Sequence, residues 1–152
     1  MNKKLTQSLA IALALLSSAS FAEKKNVIIN ANVVGTCAFA DANPITIDFD
    51  SLQAGTAPTD KTGIAKFWCS NGTSYTLTAN NGSNTTDTQK YLISGVNKIP
   101  YSLVLDNKAT GTGAGVGTPI NVVLTASITE AALDDAPVAN NYTDTVTLTL
   151  NP

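Results

Sequence analysis

Apolar and polar residues alternate along most of this chain. From Asn26, the positions Val27, Ile29, Ala31 and Val33 fall on one face and Asn26, Ile28, Asn30 and Asn32 on the other. A period of two predicts a β-strand with one apolar side. The same rhythm recurs at Pro44–Phe49 (Ile45, Ile47 and Phe49 inward) and at Gly63–Cys69, where Ala65, Phe67 and Cys69 point inward and Trp68 points outward. It recurs again at Tyr75–Ala79, Tyr91–Ser94, Ile99–Leu105, Ile120–Ile128 and Tyr142–Leu150. Pro100 stands near the start of its strand, where a missing N–H is tolerated. Asn71-Gly72 is a tight-turn signal. The stretches 53–62, 80–88, 111–117 and 130–141 are polar or glycine-rich and read as loops. No segment has helical periodicity, so the fold class is all-β, an antiparallel sandwich.

The position of the first strand changes its meaning. Lys3 and Lys4, the apolar run Leu9–Leu16 and the small-x-small triplet Ser20-Phe21-Ala22 form the three parts of a secretory signal peptide. Cleavage after Ala22 leaves about 130 residues, enough for one domain with its own core. The expected organisation is therefore a signal peptide at 1–22, an N-terminal arm at 23–35 and a β-sandwich domain at 36–152. An apolar-faced strand at a free end has to dock, on its own domain or on the open edge of another copy. The second is expected here.

Composition narrows the chemistry. The chain has no histidine, and its nine basic residues are all lysine. Without arginine there is no bidentate phosphate clamp, so nucleic-acid binding is not expected. Without histidine the commonest general base and metal ligand is missing. The run Gly111–Gly117 lacks the lysine and following helix of a phosphate-cradling loop. Glu130, Asp134 and Asp135 lack the spacing of a calcium loop and read as solvated charges. No cofactor, metal, small-molecule substrate or enzymatic activity is expected. Cys37 and Cys69, in an exported chain, point to a disulfide rather than half of a zinc site.

The order Cys69-Ser-Asn-Gly72-Thr-Ser-Tyr75, then Tyr101-Ser-Leu103, then Tyr142-Thr-Asp144-Thr-Val146 resembles the spore coat protein U domain, a family that includes subunits of archaic chaperone–usher pili. The resemblance implies an immunoglobulin-like sandwich lacking its last strand, with the gap filled first by a periplasmic chaperone and then by the arm of the next subunit. By position, Val27, Ile29, Ala31 and Val33 would fill the groove, and Cys37 and Cys69 would be bonded. The resemblance also implies that the chain crosses between sheets after Asn71-Gly72, against the hairpin rule. Expected partners are other copies or related pilins, the chaperone and an outer-membrane usher. The expected route runs through the periplasm to a pilus at the cell surface, serving attachment or biofilm formation.

Two further readings compete. One is a secreted coat protein that folds its arm back on itself and forms no fibre. The other is a small carbohydrate-binding module using Trp68 and Tyr75, since an outward tryptophan is a ready platform for a sugar ring; packing against a neighbouring subunit needs no ligand and is preferred.

Overall fold

The computed structural model describes residues 21–152; most of the expected signal peptide, and the basic and apolar runs that define it, lie outside the described residues. The chain divides into two units, 1–32 and 33–152. In the first, the described residues belong to no sheet, and Val27, Ile28 and Ile29 are 81%, 82% and 88% exposed.

The second unit is a two-layer antiparallel sandwich. Its strands are β1 (Cys37–Phe39), β2 (Lys61–Cys69), β3 (Ser74–Ala79), β4 (Thr85–Thr86), β5 (Gln89–Ser94), β6 (Asn97–Leu105), β7 (Thr110–Thr112), β8 (Ile120–Ser127) and β9 (Leu148–Asn151). One sheet has six strands in the order β1-β2-β8-β6-β5-β4, and the other three in the order β7-β3-β9. The expected all-β sandwich is thus the observed architecture. The chain does cross between sheets at Asn71-Gly72: β2 lies in the first and β3 in the second, and Gly72 turns the corner with φ +81°.

The alternation buries the predicted faces. Ala65, Phe67 and Cys69 on β2, Tyr75 and Leu77 on β3, and Val122 and Leu124 on β8 form one apolar cluster. Phe67 is its hub, meeting Phe39 and Tyr75 edge-to-face at 6.3 and 5.1 Å between centroids. Ile99 and Tyr101 on β6, Ile128 and Leu133 form a second cluster. The Cys37–Cys69 disulfide fastens β1 to the end of β2, where the two residues are cross-strand partners.

Several expected elements differ. Glu130–Asp134, read as loop, is a short helix (α1) whose first turn is capped by the Thr129 hydroxyl accepting from Ala132 N at 3.2 Å. Five residues are too few to show a helical period. β2 starts two residues early, at Lys61, inside the expected loop. The glycine run also contributes a strand, β7, because its lack of side chains lets backbone lie against the core: a methyl group on Gly111 would fall 2.7 Å from Tyr75 Oη, and one on Gly113 2.6 Å from Cys69 Cβ.

A candidate strand-accepting slot

Two further corrections define the site. Tyr142–Leu150, expected as one strand, pairs with β3 only over Leu148–Asn151 and touches the other sheet through a single bridge, Thr143 with Ile93. Between these points the chain runs from one layer to the other. Pro44–Phe49, also expected as a strand, belongs to no sheet. The reason is the same for both: a strand needs a neighbour, and each of these segments faces a gap where one is missing.

The gap has two walls and a floor. One wall is Pro44–Phe49, laid over the inner face of β2. Gly63 makes that approach feasible, since a methyl group there would stand 2.6 Å from Ile45 Cγ2 and 3.0 Å from Ile47 Cγ1. Asp50 closes the end of this wall with an ion pair to Lys61 at 2.9 Å. The other wall is 142–148, and the floor is the inner face of the six-stranded sheet. A cleft of about 500 Å³ opens between Ile45 and Ile47 on one side and Val146 and Leu148 on the other, over Leu103, Leu124 and Ala126. A second cleft of about 820 Å³ continues it between 46–50 and 140–144, with Phe49, Ile99, Leu133 and Tyr142 in its lining.

The backbone of both walls faces the gap unpaired. Among the described residues, no backbone N–H or C=O of 44–49 has a hydrogen-bond partner. The opposite wall is bonded only on its far side: Thr143 to Ile93, the Thr145 carbonyl to Ser83 N at 3.0 Å and the Thr147 carbonyl to Asn80 N at 3.0 Å. The alternating residues Asp144 and Val146 therefore turn their peptide groups toward the slot, where none finds a partner. Two unpaired edges over an apolar floor make a seat for one more strand.

The polar run 80–88, read as a mere surface loop, is the scaffold of this wall. The Asn80 Oδ1 accepts from Thr147 N at 2.9 Å and Gly82 N at 3.0 Å, and the Asn84 amide donates to the Thr143 carbonyl at 3.1 Å. Asp144 is the junction. Its carboxylate accepts from Ser83 N and Asn84 N, both at 3.0 Å, and from the Tyr101 hydroxyl at 2.6 Å. One carboxylate thus ties the wall both to the loop after β3 and to β6 in the floor. Burial first, and then the hydrogen bond and negative charge of Asp144, hold the Tyr101 hydroxyl protonated well above the ordinary tyrosine range. Sequence reasoning missed this pair as a functional feature. The only signal was an acid placed in phase with the inward residues Tyr142, Val146 and Leu148.

Of the residues singled out in the sequence, Cys37 and Cys69 are brought together. Val33 is 93% exposed, and Val27 and Ile29 likewise touch little. Ala31 is exposed too. Trp68 is partly exposed on the outer face of β2, cross-strand from Ala38, while Tyr75 is buried with its hydroxyl donating to the Lys108 carbonyl at 3.3 Å. The two aromatic residues thus belong to opposite faces and cannot share a sugar. No group of three or more potential metal-ligating side chains occurs among the described residues, and no helix there is long and apolar enough to cross a membrane.

Comparison with known proteins places this architecture. Residues 23–149 match the Spore Coat Protein U domain, and the chain belongs to that family. Among solved structures it is similar to a chain in the CsuC–CsuE chaperone–tip adhesion subunit pre-assembly complex from archaic chaperone–usher Csu pili of Acinetobacter baumannii, at 22% identity and a TM-score of 0.46. The similarity covers 78% of this chain and 40% of that one. No curated protein matches the sequence.

Proposed function

We propose that this protein is a structural subunit of a surface pilus, joined to its neighbours by donation of the arm 23–35 into the slot of the next copy. The observation that carries the reading is the pair of unpaired wall segments over an apolar floor, in a chain whose own arm exposes an alternating apolar face. Seating Val27, Ile29 and Val33 stabilises the joint by about 1.5–3 kcal/mol each before ordering costs, with Ala31 adding less. That sum is comparable to the stability of a small domain, so assembly needs no nucleotide.

Donation between copies is favoured over folding back. Thr36, at the root of the arm, exchanges hydrogen bonds with Ser70 beyond the Cys69 end of β2. The cleft lining starts at Phe39 and Asp41, but the wall proper, Ile45 and Ile47 against β2, comes only after Pro44. An arm doubling back from Gly35 would run beside residues 37–43 first, using up Val27–Val33 at about 3.3 Å per residue. The lysines and glutamate at 23–25 would then fall in the apolar slot.

Direction follows from which end is open. At the Pro44 end the chain crosses from β1 into the wall, and β1 comes close to β9. At the Phe49–Tyr142 end the slot widens into the larger cleft. Only Val34 and Gly35 separate Val33 from the anchored Thr36, so the donor's domain has to sit at the open end. The arm then runs antiparallel to 142–148. A periplasmic chaperone that protects the slot and an usher that exports the subunit complete the reading, with attachment or biofilm formation as the service of the fibre and no catalytic activity.

The test uses an arm-deleted chain lacking residues 23–34. It should form no fibres, and a synthetic peptide spanning 24–35 should raise its melting temperature by several degrees. Fibres without the arm, or no response to the peptide, would overturn the reading.

A further inference from the structure

We infer that the arm is received in one register only, with Ala31 level with Asp144 at the Tyr101–Asp144 junction. This rests on the strand-donation reading above and adds what selects the fit.

The inward positions of the wall read Tyr142, Asp144, Val146, Leu148; those of the arm, taken antiparallel, read Val33, Ala31, Ile29, Val27. The apolar wall positions would each receive a branched aliphatic side chain. The one charged wall position would receive the one small residue. Asp144 is committed to Ser83 N, Asn84 N and the Tyr101 hydroxyl, so it cannot swing aside to make room. Pressing a branched side chain onto it would strip water from the carboxylate without returning a hydrogen bond. Moving the arm by one residue would turn its apolar face outward. Moving it by two in either direction would set Ile29 or Val33 against Asp144. Moving it by four toward β9 would bring Gly35 to the junction, but Gly35 packs against Thr73 of its own domain, where a methyl group would stand 2.7 Å from Thr73 Oγ1. A four-residue move the other way would set Val27 against Asp144 and leave Ala31 and Val33 beyond the slot. The junction is therefore a gauge that accepts a small side chain and rejects its neighbours.

Full-length mature protein carrying both Ile29→Cys and Val146→Cys, bridged with a short thiol-reactive reagent after assembly, tests the register. These two positions are predicted to be directly opposite across the joint, where Cβ atoms lie about 4.5–5.5 Å apart. The expected result is a ladder of covalent multimers on a denaturing gel, and none from Ala31→Cys with Val146→Cys or Val33→Cys with Val146→Cys. A ladder from either of those pairs instead would overturn the register while leaving strand donation standing. No ladder from any pair, with no fibres from the unaltered chain, would overturn donation itself. A second series leaves the domain untouched: Ala31→Ser should assemble within about twofold of the unaltered rate, while Ala31→Leu should slow assembly at least about tenfold, the penalty of an overpacked site. Equal assembly by both variants would refute the gauge.

Discussion

Gly63 shows how one missing side chain can shape a site. The wall it supports has no backbone hydrogen bonds of its own, so the contacts of Ile45 and Ile47 with that bare patch of β2, together with Phe49 against the second cluster and the Asp50–Lys61 ion pair, hold it. Gly63→Ala should lower stability by about 1–3 kcal/mol, because Ile45 has to move. It should also weaken arm-peptide binding, measurable by calorimetry alongside the melting curve. Tyr101 gives a second prediction at this scale. Its raised pKa means that below pH 10.0, the ordinary value, the hydroxyl is protonated whether the chain is folded or not, and its contribution to stability is intact. Above that pH the unfolded chain releases the proton and the folded one holds it, so stability falls. Denaturation midpoints across the alkaline range should fall less steeply for Tyr101→Phe than for the unaltered protein.

Among the elements, the wall 142–148 is held from one side by the loop 80–84 and from below by β6. Asn80→Ala removes the acceptor for Thr147 N and Gly82 N. The expected consequence is faster amide hydrogen exchange at Gly82 and across 143–147, with β2 and β8 unchanged, since stability is distributed in local units. This element also marks the limit of what the sequence discloses. The buried strands β2, β3, β6 and β8 were legible because a face packed against a second layer has to be apolar at every other position. Alternation reports burial, however, and not pairing. Pro44–Phe49 and Tyr142–Leu150 alternate as cleanly as β8, yet much of their backbone has no partner in the chain. The short helix α1 was invisible for want of length, and β7 because glycines that let backbone approach the core look like those of a free loop. Asp144 appeared only as a letter in a motif. Nothing in the letters says that a polar loop sixty residues upstream supplies two of its donors.

For the whole molecule, the disulfide is the simplest quantity to test. Closing the loop between residues 32 apart in sequence should contribute about 3–4 kcal/mol on the chain-entropy account. The denaturant midpoint of the mature protein should fall correspondingly on reduction or in Cys37→Ser with Cys69→Ser. Strand donation as proposed would be heterologous: the arm of one copy and the slot of the next are different surfaces, so the contact would not close on itself and would repeat without limit. Sedimentation at rising concentration should therefore show an open series of sizes and not a discrete dimer.

The bond between Cys37 and Cys69 has a mechanical reading as well. In a fibre under tension, a pull on the arm would arrive at Thr36 and pass at once, through that covalent link, into the end of β2. From there it would travel lengthwise down a strand flanked by β8, loading their hydrogen bonds together in shear instead of unzipping β1 one bond at a time. Cutting the bridge would leave three residues of β1 to carry the load alone.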